Sequence, residues 1–260
     1  EQKLSLNGEQ QAALAVIVEK LDGGQPDCVL LHGVTGSGKT EVYLRALRYV
    51  LEQGQGAMVL VPEISLTPQL IGRFRAVLGE AVEVLHSNLS DGERLDAWQR
   101  LHDGKTRVVD GVRSAVFAPV QKLRLIIMDE EHETTFKQSE PDPRYHARQV
   151  ARWRMEQNGG LLLLGSATPS VQSFYEVGQG KGTLLTLSQR AKAQPLPEVE
   201  IVSMAREFQA GNRSMFSQCL RQTMEDSLSR GEQVILFLNR RGFSSAIVCR
   251  ECGYTLTCEK

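Results

Sequence analysis

The chain has 260 residues, 41% of them hydrophobic, and a formal net charge of −1 from 30 basic and 31 acidic side chains. That size allows one large or two small domains with a real core, and the near-zero charge excludes a global pull toward nucleic acid or membrane, so any such footprint must be local. No apolar run reaches the length of a membrane span, and a chain that opens on Glu1 with no leader pattern is expected to be a piece of a longer cytoplasmic protein.

The first expected element is a helix from Leu6-Asn7-Gly8 to about Leu21, with Asn7 placed to cap it. An apolar run, Cys28–Leu31, then leads into Gly33-Val-Thr-Gly-Ser-Gly-Lys39-Thr40 and a helical stretch from Glu41 to Gln53. Strand, G-x-x-x-x-G-K-[ST] and helix in that order predict a phosphate-binding loop for a nucleoside triphosphate. Gly33, Gly36 and Gly38 let backbone N–H groups curl round phosphate oxygens, with Thr35, Ser37 and Glu41 completing the set. Lys39 is expected on the β- and γ-phosphates of that nucleotide and Thr40 on Mg2+.

Further short apolar strands are expected at Ala57–Val61, Val82–Leu85, Arg107–Val109, Leu125–Met128 and Leu161–Leu164, with helices at Thr67–Leu78, Ser90–Leu101 and His146–Glu156 between them. Near-continuous apolar strands alternating with helices predict an α/β fold with a doubly wound, mostly parallel sheet and its chemistry at the strands' carboxyl ends. The run Leu125–Met128 ends in Asp129-Glu130-Glu131-His132. Acids after a strand often only face solvent, but phosphoryl transfer needs both a phosphate loop and an acidic strand end. Asp129 is then the magnesium ligand, Glu130 the residue that polarises water, and His132 a coupler to a neighbouring segment.

The alternation breaks around residues 188–213, where Ala193–Pro197 and Gln209–Asn212 read as connecting chain. A helix from Phe216 to Arg230 and a strand at Val234–Leu238 open a further unit, giving a lobe over 1–190, a linker over 191–213 and a second unit over 214–260. Of five cysteines, Cys28 and Cys219 stand alone, while Cys249-x-x-Cys252 and Cys258 have zinc-ligand spacing. Three thiols do not close a tetrahedral structural site, so Zn2+ is expected only with ligands from a full-length protein.

The ordered series Leu6–Gln11, Gly33–Tyr43, Val61–Gln69, Leu85–Ser87, Asp129–His132, Arg144–Arg148, Gly165–Pro169 and Ile235–Phe243 running into Cys249–Gly253 closely resembles the PriA family of bacterial primosomal replication-restart helicases, DNA helicases of superfamily two. The resemblance implies a RecA-like P-loop lobe followed by the start of a second lobe and a Cys-rich zinc insertion. It also implies ATP-driven 3′-to-5′ translocation at stalled or branched forks. By the same resemblance Gln10 reads adenine, and Ser166, Ala167 and Thr168 link hydrolysis to movement. Pro62, Thr67, Gln69, Arg113 and Ser114 touch the backbone of single-stranded DNA. An aromatic-rich loop would stack bases on Phe136 and Tyr145 and attract phosphate with Lys137, Arg144 and Arg148. Implied partners are single-stranded and forked DNA, primosome-loading proteins and single-stranded-DNA-binding protein, with the chain a monomer.

Two departures stand out. Gly111-Val112-Arg113-Ser114 replaces the family's Gly-Thr-Arg-Ser, and Asp110 replaces a small or apolar residue. Asp110 either adds negative charge beside a phosphate contact or turns away from it. Two rival readings are another superfamily-two translocase, and a nucleotide- and DNA-binding module without appreciable turnover.

Overall fold

A computed structural model describes residues 5–87, 89–190, 198–237, 247–248 and 255–256. The chain divides into two units, Glu1–Gln194 and Pro195–Lys260. The first unit holds, in order, α1 (Gly8–Gly23), β1 (Asp27–Gly33), α2 (Lys39–Glu52), β2 (Gly56–Leu60), α3 (Pro68–Leu78), β3 (Val82–Leu85) and α4 (Asp91–His102). It continues through β4 (Val108–Gly111), β5 (Leu123–Asp129), α5 (Ala147–Asn158), β6 (Leu161–Ser166), α6 (Val171–Gly178) and β7 (Thr183–Leu187).

These strands form a seven-stranded sheet in the order β3-β4-β2-β5-β6-β1-β7. Every neighbouring pair runs parallel. Parallel strands need crossovers, and the helices that supply them cover both faces. One core gathers Val29, Leu31, Val59, Ile127 and Leu163 under Ile17, Leu47 and Phe74. The other gathers Leu30, Met58, Ile126 and Leu164 under Leu101, Ala151 and Met155. Side chains alternate faces along each strand, so a strand buried on both sides reads as unbroken apolar sequence.

In the first unit the expected strands and helices are present, and two elements there escaped the sequence pattern. β7 is an edge strand whose residues alternate between partly buried and exposed, ending on buried Leu187. α6 is short and buries only Ser173, so it shows no apolar stripe. The helix starts carry the expected chemistry: Asn7 with Gln10, and Ser90 with Glu93, form reciprocal capping boxes.

In the second unit α7 (Met204–Gln209) lies within the segment expected to be connecting chain, and α8 (Gln218–Ser229) matches the expected helix. The strand expected at Val234–Leu238 is absent from the described residues 232–237, where Ile235 and Phe237 are exposed. A two-residue antiparallel pair joins Ile247–Val248 to Thr255–Leu256. Cys249, Cys252 and Cys258 lie outside the described residues. Among the described residues no helix is long and apolar enough to cross a membrane.

Candidate functional site

The chain leaves β1 at Gly33 and enters α2 at Lys39. Gly36 and Gly38 hold φ of 80° and 83°, values that a residue with a Cβ rarely adopts. No side chain caps α2 at Gly38, which leaves the helix start open to an anion. Lys39 Nζ donates to the Gly33 carbonyl at 2.8 Å, so the ammonium is held at the loop's own backbone. Ser37 is buried, and its hydroxyl has no hydrogen-bond partner among the described residues. Thr35 and Gly36 are exposed at the crest, and Thr40 is half-buried one residue past the lysine. Glu41 pairs with Arg45 at 3.2 Å and Arg73 at 3.8 Å.

Gln10 packs against this loop: its amide nitrogen donates to the Ser37 carbonyl at 2.8 Å, and its amide oxygen accepts from Asn7 N at 2.9 Å. Each amide atom keeps one further hydrogen-bonding site, a lone pair on the oxygen and an N–H on the nitrogen.

β6 lies between β5 and β1, with Gly165 opposite both Asp129 and Leu31. A Cβ on Gly165 would fall 1.6 Å from Tyr43 Oη. Only glycine there lets the tyrosine cross the strand, where its hydroxyl donates to Asp129 Oδ1 at 2.9 Å. Tyr43 is buried on α2, four residues after Lys39 and thus on the same helical face. Burial first, and then the neighbouring Glu130 carboxylate, hold the Asp129 carboxyl above the usual range, against the Tyr43 hydrogen bond and Lys39. A divalent cation fits a site with such an excess of negative charge. Thr40 and Asp129 are the residues that would hold Mg2+, with nucleotide oxygens filling most of its shell. No cluster of three or more His, Cys, Asp or Glu poised for a metal occurs among the described residues.

Glu130 has φ of 47°, in a region that a non-glycine residue enters only where the surroundings hold it. Its carboxylate lies 3.7 Å from His132 Nδ1. The same ring nitrogen and Ser166 Oγ are hydrogen-bonded at 2.8 Å. Ser166 Oγ accepts in turn from Thr168 N at 3.0 Å. The acids after β5 are thus bridged to the Ser166-Ala167-Thr168 segment after β6.

Glu131, to which no role was assigned from sequence, is the hub of a buried network. Its side chain is fully buried and accepts from Ser170 N at 2.7 Å, Ser173 Oγ at 2.8 Å and Arg148 Nη1 at 3.5 Å. Arg148 also reaches Glu176 at 3.3 Å, which Arg152 joins at 2.6 Å. Arg154 donates to the carbonyls of Val116 and Ala118 and so braces the turn Arg113–Phe117. The arginines of α5 point into the protein, and Arg148 is corrected from an exposed phosphate contact to a buried ion-pair partner.

Beside the acids opens a cleft of about 1010 Å³, lined by Glu63, His86, Arg94, Trp98, Arg113, Ser114, His132, Lys137 and His146, among others. Ser114, Lys137 and Arg144 are exposed, as are Thr67 and Gln69 at the start of α3, while Pro62 is buried. Thr67 caps α3 by accepting from Leu70 N. Arg113 Nη1 is engaged with the carbonyls of Thr135 and Lys137 at 3.3 and 3.1 Å, and its guanidinium lies 5.8 Å from the Tyr145 ring centre. It therefore clamps the loop that follows the acids. Lys137 Nζ donates to the Arg144 carbonyl, and Arg144 pairs with Asp142 at 3.2 Å. Phe136 is 1% exposed within the second core, a correction to its expected role as a free base-stacking ring. Tyr145 is half-buried, edge-on to Phe117 at 4.9 Å.

Asp110 is 0% exposed on β4, and both its carboxylate oxygens lack a hydrogen-bond partner among the described residues. It shares a face with Val108 of the first core and sits between Val59 and Val84 in register. The side chain is buried on that face, and burial alone pushes its pKa up to about 7.

Comparison with known proteins follows this geometry. The DEAD/DEAH box helicase family matches residues 7–177. The chain is 49% identical over 255 residues to the replication restart protein PriA of Bacillus subtilis (strain 168), covering 98% of this chain and 32% of that protein. It is 50% identical over 234 residues to the protein of the same name from Synechocystis sp., covering 88% and 28%. The chain therefore spans about a third of the length of the curated relatives it matches. Among solved structures, RecG bound to a three-way DNA junction aligns with a TM-score of 0.54 at 19% identity, covering 87% of this chain and 32% of that one. That likeness concerns the fold alone.

Proposed function

We propose, from the premise that this chain belongs to the DEAD/DEAH box helicases and, within superfamily two, to the PriA replication-restart proteins, that it carries the ATP-hydrolysing lobe of a 3′-to-5′ DNA helicase acting at stalled or branched forks. The observation that carries the reading is the bridge from Glu130 through His132 and Ser166 to the Thr168 amide. It links the residue proposed to orient water to the segment proposed to move, through a 3.7 Å contact with His132 and then two hydrogen bonds. Lys39 exchanges the Gly33 carbonyl for the β- and γ-phosphates, and the open start of α2 receives phosphate oxygens. Mg2+ held by Thr40 and Asp129 would neutralise charge on those oxygens. Glu130 holds the attacking water, and Gln10, already against the loop, contributes at the nucleotide's edge.

Thr67, Gln69, Ser114, Lys137 and Arg144 supply the exposed contacts for a single strand's phosphates. Primosome-loading proteins and single-stranded-DNA-binding protein are proposed partners. Zn2+ on Cys249, Cys252 and Cys258 is proposed for the full-length protein. ATP turnover measured with and without an oligothymidylate tests the reading: stimulation by DNA, abolished by Lys39→Ala, is expected, and unchanged nucleotide affinity in that variant overturns the site. Gln10, Lys39, Asp129, Glu130 and His132 all lie in the first unit. That supports a second reading, in which the chain alone binds nucleotide and DNA without appreciable turnover. Analogue binding without hydrolysis decides for it.

A further inference from the structure

The rings expected to stack bases are not the rings the cleft offers. Phe136 is packed into the core, and Tyr145 is edge-on to Phe117 with Arg113 beside its ring. The aromatic side chain that lines the cleft and stays open is Trp98, 37% exposed on α4. α4 seats itself through Ala97 and Leu101, which are buried in the second core. Trp98, next to Ala97 and only partly covered, stands at the rim of the cleft. Arg94 lies one turn earlier and lines the same cleft. Neither Trp98 nor Arg94 makes a side-chain hydrogen bond that engages it with another described residue. Across the opening stand Lys137 and Arg113, so the lining arginines and lysine outnumber Glu63 and Glu133.

Resting on the DNA-helicase reading above, we propose that α4 provides a base platform: the Trp98 ring stacks one unpaired base of a single strand in the cleft, and Arg94 takes the adjoining phosphate. A flat ring beside a cation suits a nucleotide of any sequence, because every base has a π-face. The cations Arg94, Arg113 and Lys137 on this lining favour a phosphate-bearing strand over an uncharged protein anchor.

The chain contains two tryptophans, Trp98 and Trp153, so Trp153→Phe leaves Trp98 as the only indole emitter. Titration of that protein with an oligothymidylate should quench its emission to saturation. Trp98→Ala should weaken oligothymidylate binding roughly tenfold, Trp98→Phe should retain most of the affinity, and an abasic strand of equal length should bind wild type and Trp98→Ala alike. Arg94→Ala should weaken binding of both strands and lower the salt slope by about one. Nucleotide-analogue affinity, read in the same variants, should stay unchanged because the loop at Lys39 is untouched. Salt-dependent DNA binding with equal affinity in Trp98→Ala and no quenching overturns the platform and leaves the helicase reading standing. A wild-type chain that binds no DNA overturns that reading and the platform with it.

Discussion

The phosphate loop and helix α5 both present cations after a strand or loop, and the structure treats them oppositely. Among the described residues Lys39 is hydrogen-bonded to a carbonyl of its own loop, a contact that a phosphate replaces without breaking the fold. Arg148 and Arg152 are held by carboxylates, and Arg154 by two carbonyls. These bonds join α5 to the acids after β5, to α6 and to the turn at Arg113–Phe117. A cation kept for a ligand has a replaceable partner, whereas a cation that builds the site has partners that cannot leave.

The largest effect expected from that contrast is on stability. Arg148→Ala leaves the Glu131 carboxylate buried beside Ser170 and Ser173 with no cation. Removing one member of a buried pair costs about 3–5 kcal/mol, so thermal unfolding should fall steeply. Lys39→Ala should leave the melting temperature nearly unchanged while nucleotide binding is lost. An Arg148→Ala protein with normal melting but weakened DNA binding would reverse the assignment and return this arginine to the DNA contacts.

Asp110 sharpens the comparison from the opposite sign of charge, because among the described residues it is buried with neither a permanent nor a replaceable hydrogen-bond partner. Its folded-state pKa, about 7, lies well above the ordinary aspartate value of about 3.9. The folded chain therefore holds a proton that the unfolded chain has released, and stability falls as pH rises through that window. Below it both states are protonated and the penalty vanishes; above it the penalty is complete. The displacement corresponds to about 4 kcal/mol as an upper figure. Asp110→Val should remove this slope and stabilise the fold most at alkaline pH, as chemical denaturation at several pH values would read. An unchanged slope would mean that water or a counter-charge reaches the carboxylate.

Residue patterns made some of this legible and hid the rest for identifiable reasons. The strand, glycine-rich loop and helix at Cys28–Gln53 were readable because the backbone alone makes that geometry. Strands buried on both faces announced the parallel sheet through unbroken apolar runs. β7 escaped because an edge strand that is half exposed loses that signature. Phe136 and Arg148 were misplaced because an aromatic–cation mixture reads the same whether its side chains face water or the core. Burial was decided by partners such as Glu131 and Ser173, distant in sequence. Tyr43 carried a usable signal, its four-residue spacing from Lys39, but its contact with Asp129 depends on Gly165 from another strand.

Tyr43→Phe tests that contact between a helix and two strands at lower amplitude. The lost hydrogen bond is worth about 0.5–1.5 kcal/mol. Tyr43's donation favours the ionised Asp129 carboxylate, which burial and Glu130 disfavour. Without it, Asp129 takes up a proton more readily, and the acidic limb of magnesium-dependent nucleotide binding should move to higher pH. Calorimetry across pH should find the variant weakest on the acid side and close to wild type on the alkaline side. A uniform loss at every pH would mean that the tyrosine acts by packing alone.

The smallest effect concerns the turn that Arg154 braces. Val112 sits at the cap position of Arg113–Phe117 in an extended conformation, and no side chain accepts from the turn's free N–H groups. A threonine hydroxyl at this position has the conformation and reach to do so. Val112→Thr should therefore stabilise the first unit by about 0.5–1 kcal/mol, read as a small rise in melting temperature. Because Arg113 leaves this turn to clamp the loop at Thr135 and Lys137, a firmer turn should also slow backbone hydrogen exchange in residues 134–138. Stabilisation without that protection would show that the loop's order comes from its own contacts and from α5. The replaceable and permanent cations would then be independent of each other across the cleft.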